Sequence, residues 1–272
     1  MGYIHLLFLA VIQGLTEFIP VSSSAHLAAL PFFLDIQRQS IEIDIAVHLG
    51  SLLAVCQIFR NDFIKLLFGF FDIIIGKYNT AKSNLFVLSI TATIPIVIAT
   101  IFILAFDLLI FLRDIHTVAL ACIIFSIPLF IADKKSNKHR SLEHFGIKDA
   151  IYIGFWQSFA VIPGASRSGC CITGSLLRGF KNTDATQISL ILSIPTILGS
   201  GMLLLIELVF IPKDQFLSSN YFPMLLCLIF SYFAAFLSIK MFFYYIEKVS
   251  FLPFIIYRIF LGFLILAFLF LA

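Results

Sequence analysis

Two short polar stretches interrupt an otherwise apolar chain of 272 residues. The first covers residues 13–26 and carries a carboxylate, three consecutive hydroxyls and an imidazole. The second covers residues 163–169 and reads Pro-Gly-Ala-Ser-Arg-Ser-Gly. Ionisable groups within apolar segments are costly in a membrane and are by default candidate functional sites. We therefore predict that the two stretches meet near the middle of a bilayer and form one site.

Glu17 is the only acidic residue in the first stretch, and it lies four residues after Gln13. On a helix these two side chains share one face. Glu17 has no cation beside it in the sequence, and a carboxylate buried alone would take up a proton. It therefore needs a metal ion, an arginine or an exchangeable proton as its partner.

Three serines follow Pro20, where a new helix would begin. One of the three, Ser22, Ser23 or Ser24, could cap that helix. Ser23 and His26 are three residues apart and would share a helix face. That spacing suits a serine nucleophile with an imidazole base, or a histidine nucleophile that a serine positions. Water activated by a neighbouring group is a third option for the attacking species.

The second stretch has the residue types that bind phosphate. Glycines allow close approach of the backbone, and N–H groups at a helix start favour anions. The planar guanidinium of Arg167 matches phosphate oxygens. It could instead pair with Glu17 alone, but the surrounding donors favour phosphate, and we interpret the two stretches together as a site that holds a diphosphate. The predicted phosphate-binding residues are Gln13, Ser22, Ser24, Gly164, Ser166, Arg167, Ser168 and Gly169.

The composition indicates which kind of protein must position these groups. The chain is 61% hydrophobic and 12% charged, with a mean hydropathy of +1.06. Soluble domains carry about 25% charged residues. The apolar runs are continuous and do not alternate, which argues against a β-barrel. We predict an all-α polytopic membrane protein without a nucleic-acid partner.

Ten apolar segments can be counted, and about 20 apolar residues are needed to cross a bilayer. Six segments are predicted transmembrane helices, namely 43–60, 84–105, 117–132, 186–210, 222–246 and 251–271. The other four form two pairs, 2–19 with 21–34 and 147–162 with 165–178, each interrupted at a proline. Because proline ends or begins a helix, we predict two re-entrant helix pairs.

The two halves of the chain have the same order of elements. We predict one integral membrane domain over residues 1–272, with repeat 1 at about 1–132, a cytoplasmic linker at 133–146 and repeat 2 at about 147–272. Gln13 and Gln157 precede the prolines of their halves at similar distances, of seven and six residues. Three crossings per half is an odd number, so the second repeat would be inverted.

The distribution of charge gives an orientation. With this topology, the side that holds both termini carries Arg38, Arg113 and Lys213, and the opposite side carries thirteen of the 18 Lys and Arg residues. Arg167 and Arg258 would lie within the membrane. Positive charge is retained in the cytoplasm, so both termini are predicted to face outward.

The motifs resemble the bacitracin-resistance family of undecaprenyl-diphosphatases. The first family signature has a glutamate or glutamine, then a glutamate, then Pro-Val-Ser-Ser-Ser/Thr-x-His, and it is matched by Gln13, Glu17 and residues 20–26. The second, Pro-Gly-x-Ser-Arg-Ser-Gly, is matched by residues 163–169. Residues 44–51 and 250–253 extend the resemblance over essentially the whole chain. Gln13 is the weaker of the two options that the first signature allows, and Ala25 replaces a glycine common in the family.

The resemblance implies hydrolysis of undecaprenyl diphosphate to undecaprenyl phosphate and inorganic phosphate, and with it bacitracin resistance. It implies a multi-pass protein of the bacterial inner membrane whose active site opens to the periplasm. Glu17 would be the acidic catalytic or metal-binding group, and Ser23 and His26 the candidate nucleophile and base. Arg167 with Ser166 would clamp the phosphate.

Several alternatives remain open at this stage. Broken helices at the midplane are also a transporter design, so the same pocket could translocate undecaprenyl phosphate as a flippase. A divalent cation, Mg²⁺ or Ca²⁺, is an option at Glu17. The expected partners are the lipid diphosphate and membrane lipids, with a homodimer as one option for the oligomeric state.

Overall fold

The computed structural model describes residues 3–34, 39–210 and 221–271, and within these ranges the chain is helical with no β-strand. Two short 3-10 helices, Leu142–His144 and Phe159–Val161, accompany the α-helices. The α-helices of the described residues are α1 Tyr3–Thr16, α2 Ser23–Leu34, α3 Ile41–Ile58, α4 Arg60–Ile74, α5 Ala81–Ala105, α6 Leu109–Leu112, α7 Ile115–Ile124, α8 Ser126–Lys135, α9 Ile147–Ser158, α10 Arg167–Leu177, α11 Asn182–Phe210, α12 Phe222–Ile246 and α13 Leu252–Leu271.

Six helical segments of the described chain are long and apolar enough to cross a membrane. They are Ile41–Ile58, Ala81–Ala105, Ile115–Lys135, Asn182–Ile206, Phe222–Ile246 and Leu252–Leu271. The predicted all-α polytopic fold with six transmembrane helices is therefore confirmed. Of the charges used for the orientation, Arg38 and Lys213 lie outside the described residues.

Two local features differ from the sequence prediction. Helix α4 was not anticipated, because Arg60, Asp62 and Lys65 break up its apolar run. Its apolar face nevertheless packs against α5, with Leu66 and Gly69 buried. The segment predicted as one helix at 117–132 is interrupted at Phe125, between α7 and α8. Pro128 cannot donate a hydrogen bond to the carbonyl four residues earlier, which accounts for the break.

The two short helix pairs, α1 with α2 and α9 with α10, have the same kind of junction. The second helix of each pair begins after a serine with a positive φ, 70° at Ser22 and 67° at Ser166. Such a backbone conformation is uncommon for L-residues and tends to occur at functional sites. The junctions also touch, because Gly164 N donates to Ser24 Oγ at 3.1 Å and Ser168 Oγ donates to Ile19 O at 2.9 Å.

Small residues let the first helix of each pair pack closely on a long helix. α1 packs on α12, where Gly14 faces the backbone of Ser231, and α9 packs on α5, where Gly154 faces Ala92. A Cβ on Gly154 would lie 2.6 Å from Ala92 O, so no larger residue fits without displacement. These contacts fix the depth at which the first helix of each pair ends, and therefore the position of the junction that follows it.

A cluster of charged residues fixes the opposite end of α9 and α10. Asp149 accepts hydrogen bonds from Arg140 Nη2 at 2.7 Å and from Arg178 Nε at 2.6 Å. Burial acts to raise the pKa of Asp149, but the hydrogen bonds from both arginines hold that pKa below its ordinary value. The stretch predicted as a cytoplasmic linker at 133–146 is thus anchored through Arg140, and α8 extends into it as far as Lys135.

The substitution Asp149→Asn is expected to destabilise the fold by about 3 kcal/mol at neutral pH, since it leaves the arginines without their buried counter-ion. Because the folded-state pKa of Asp149 is below 3.8, its contribution is complete above that pH and is lost as the pH falls further. Thermal unfolding in detergent should show a large difference between wild type and variant at pH 7 and a smaller one at pH 3. Exposed Glu143, as Glu143→Gln, is the control, and a pH-independent difference for Asp149→Asn would contradict the explanation.

Candidate active site

Glu17 lies in the turn that follows α1 and joins the two polar stretches. Its carboxylate accepts hydrogen bonds from Gln13 Nε2 at 2.8 Å and Ser23 Oγ at 2.7 Å. Arg167 Nη2 lies 3.4 Å from Glu17 Oε1, although the two residues are 150 positions apart. Both side chains are largely buried, with 9% of Glu17 and 11% of Arg167 exposed. The structure therefore brings together the acid and the guanidinium that the sequence singled out.

Arg167 is held from two further directions. Its Nη1 donates to the carbonyl of Ser189 on α11 at 3.0 Å, and its guanidinium lies 5.9 Å from the centre of the Phe18 ring. Arg167 is also the first residue of α10, so its backbone N–H belongs to the helix start. The guanidinium is thereby oriented before any ligand arrives.

The start of α2 contacts the turn before α10 through Ser24, and the start of α10 contacts the turn before α2 through Ser168. In each helix the first N–H groups have no carbonyl within the helix to bond. Ser166 Oγ accepts from Gly169 N and caps one of them in α10. Helix starts carry partial positive charge, so two of them together with Arg167 favour an anion here.

The predicted phosphate-binding residues fall into two groups. Ser22, Ser166 and Ser168 are buried, and their hydroxyls bond within the two junctions. Gly164 and Gly169 are buried too, and Gly164 has a φ of +97° that favours glycine. These five residues shape the junctions. The second group, Ser24 and Gln13, has polar atoms that could contact a ligand, since Ser24 is exposed and Gln13 Oε1 is buried without a hydrogen-bond partner.

The predicted contact between Ser23 and His26 is not among the hydrogen bonds of the described chain. Ser23 is the first residue of α2, and its hydroxyl reaches back to Glu17. His26 Nδ1 lies 2.8 Å from the carbonyl of Ser22, which can only accept, so Nδ1 carries the proton. In the neutral imidazole Nε2 is then an acceptor, and it lies 2.7 Å from the hydroxyl of Tyr257.

Tyr257 is a site residue that the sequence reasoning missed. Its ring stacks on the His26 imidazole, with centroids 5.6 Å apart and planes 6° from parallel. The available signal was the polar pair Tyr257 and Arg258 in an otherwise apolar C-terminal segment. Through this contact α13 supports one side of the first polar stretch.

Together these features define a multi-pass helical membrane protein with a paired carboxylate and guanidinium between two interrupted helix pairs. The chain belongs to the family described as bacitracin resistance protein BacA, which matches residues 6–264. It is 37% identical over 266 residues to an undecaprenyl-diphosphatase of Ruegeria sp. (strain TM1040), covering 98% of both chains. It is 38% identical over 267 residues to the undecaprenyl-diphosphatase of Teredinibacter turnerae, covering 97% of this chain and 98% of that one.

Proposed function

We propose that this protein hydrolyses undecaprenyl diphosphate to undecaprenyl phosphate and inorganic phosphate. The observation that carries the proposal is the contact of Glu17 with Arg167 beside the two helix starts. The names of the relatives support the same reaction. They do not favour the transporter alternative. Release of the monophosphate would recycle the lipid carrier for peptidoglycan synthesis and underlie bacitracin resistance.

Arg167 and the free N–H groups of the helix starts would bind the terminal phosphate and stabilise its developing charge. Ser23 Oγ already donates to Glu17, so Glu17 is placed to accept its proton. The Ser23 oxygen would bond to the terminal phosphorus while the bond to the bridging oxygen breaks and undecaprenyl phosphate leaves. Water would then hydrolyse the phosphoserine, releasing inorganic phosphate and restoring Ser23.

His26 has a different role in this scheme from the one expected. Its Nδ1–H holds the carbonyl of Ser22, the strained residue directly before Ser23. Its Nε2 is occupied by the hydroxyl of Tyr257. We therefore assign to His26 the positioning of Ser23. Glu17 is assigned the role of the base that accepts the proton of the Ser23 hydroxyl.

The choice of nucleophile predicts where phosphate is trapped. Acid quenching during turnover of an isoprenyl diphosphate labelled at its terminal phosphate should leave label on Ser23, because a phosphoserine is stable to acid. Ser23→Ala should trap none, whereas His26→Ala should still trap some, at a lower rate of turnover. A phosphohistidine is lost in acid and survives alkali, so label that is absent after an acid quench and present on His26 after an alkaline quench would contradict the scheme.

A divalent cation fits the donors beside Glu17. Mg²⁺ and Ca²⁺ prefer oxygen ligands, and the Glu17 carboxylate lies next to the unpaired Oε1 of Gln13. No group of three or more His, Cys, Asp or Glu side chains accompanies them in the described ranges. Such an ion would neutralise phosphate charge when bound, and Glu17 and Gln13 are the residues that would hold it.

The architecture is best explained by two inverted repeats, with residues 1–132 and 147–272 as the two copies. Gln13 precedes Ser22 by nine residues and Gln157 precedes Ser166 by nine, and both serines have a positive φ directly before a helix. The contact of Asp149 with Arg178 joins the outer ends of α9 and α10, as expected of a re-entrant pair. With the cationic side in the cytoplasm, the site and both termini would face the periplasm.

The proposed activity is tested by phosphate release from purified protein in detergent. Undecaprenyl and C15 isoprenyl diphosphate should each release one phosphate, and the matching monophosphates should release none. Reconstituted vesicles separate the transporter alternative, since translocation of a labelled lipid phosphate without any phosphate release would overturn the proposal.

A further inference from the structure

Arg258 is a second arginine within the helix bundle, and the reaction scheme above does not use it. It lies on α13 next to Tyr257 and is 0% exposed. No salt bridge reaches it within residues 3–34, 39–210 and 221–271, and its Nε has no hydrogen-bond partner. A buried guanidinium without a counter-ion is energetically costly, so its presence calls for an explanation.

The contacts of Arg258 lead directly to the second polar stretch. Its Nη2 donates to the carbonyls of Gly164 at 3.1 Å and Ala165 at 2.8 Å. Its Nη1 lies 2.9 Å from the position that a Cβ on Gly169 would occupy. The guanidinium thus sits behind the start of α10 and bonds to two carbonyls of the turn that precedes it, one of which, Ala165 O, also accepts from Cys170 Sγ at 3.7 Å.

The charge of Arg258 is unfavourable there unless an anion is present. Cations are disfavoured near a helix start, which is itself partially positive. Arg167 adds a second positive charge at the same helix start, and Glu17 is the one carboxylate in hydrogen-bond contact with that arginine among the described residues. Two guanidinium groups against one carboxylate leave an excess of positive charge, which a bound anion would neutralise.

We propose that Arg258 is a positioning residue that holds the turn at residues 163–166, and that its uncompensated charge makes the site prefer a lipid diphosphate over a lipid monophosphate. The inference deepens the proposed function and rests on it. A diphosphate ester carries one more ionisable oxygen than the monophosphate. An excess positive charge therefore retains the substrate and lets the less charged product leave.

Two conservative variants separate the charge of Arg258 from its hydrogen bonds. Arg258→Gln keeps N–H donors and removes the charge, and Arg258→Lys keeps the charge and removes the planar fork. The measured quantity is the ratio of the inhibition constant of C15 isoprenyl phosphate to the KM of C15 isoprenyl diphosphate. We expect this ratio to fall by about tenfold in Arg258→Gln and to stay within about threefold of wild type in Arg258→Lys, whose kcat falls instead.

Leu261→Ala is the matched control, because Leu261 is buried on the same helix and carries no charge. It should lower the unfolding temperature without changing the ratio. An unchanged ratio in folded Arg258→Gln would overturn the inference. If neither Arg258 variant folds, Gly169→Ala is the alternative, because the added methyl group displaces the guanidinium from the side of α10. An equal change in the inhibition constant of the monophosphate and the KM of the diphosphate would then overturn the inference. If wild type releases no phosphate, the proposed function fails, and the same ratio is measured by equilibrium binding of the two uncleaved lipids.

Discussion

Arg167→Ala is expected to lower the rate of phosphate release by about a thousandfold or more, the range seen when a charge-stabilising arginine or donor is lost from a phosphoryl-transfer site. The guanidinium contacts Glu17 and Ser189, and both contacts aim it at the helix starts. Its removal leaves Glu17 buried without a cation and the phosphate without its main ligand. Phosphate release from C15 isoprenyl diphosphate measures the effect.

Arg167→Lys is the informative companion to Arg167→Ala. Lysine keeps the positive charge but cannot reach Glu17 and Ser189 together, so we expect a partial recovery of activity. Arg60→Ala removes an exposed arginine and should leave the rate unchanged. Activity of Arg167→Ala within about threefold of wild type would show that Arg167 is a structural ion-pair partner and not a phosphate ligand.

Glu17→Gln is expected to lower kcat by about 10²- to 10⁴-fold, the usual contribution of a general base. The amide has nearly the same size and its oxygen can still accept from Ser23, but it cannot take up the proton. The variant should therefore fold and bind substrate with little change in KM. Steady-state kinetics at saturating and limiting substrate separate the two parameters.

The dependence of Glu17→Gln on divalent cations distinguishes the two roles considered for Glu17. A base that is lost cannot be replaced by more Mg²⁺, so activity should stay low as Mg²⁺ is raised. Recovery at high Mg²⁺ or Ca²⁺ would instead indicate that Glu17 is a metal ligand. Exposed Glu247, as Glu247→Gln, is the control for removing a carboxylate from this protein.

Much of the fold follows from local sequence properties. Hydropathy alone identifies the six long helices, because a membrane span needs a continuous apolar run whatever its neighbours are. Pro20 and Pro163 interrupt their helices through the missing N–H, which is also a local effect. Helix α4 was not predicted because its apolar residues lie on one face among charged residues. That face stabilises the helix only through its contact with α5, which the local sequence does not show.

The site was predicted less completely than the fold. The residue types of Glu17, Arg167 and the serines indicated a phosphate site because such groups are costly inside a membrane without a function. The spacing of Ser23 and His26 favoured a pair, but spacing along a helix does not decide which neighbour each side chain meets. In the folded protein Ser23 bonds to Glu17 across the junction, and His26 bonds to Tyr257, 231 positions away.

The sequence by itself therefore determined the class of protein, its six spans and which charged residues lie within apolar segments, since each depends on composition and local order. Only the tertiary structure decided the partners. The contact of Arg167 with Glu17 spans 150 positions, and that of Arg258 with Ala165 spans 93. These pairings exist because helices distant in sequence pack side by side, and no local pattern encodes which faces will meet.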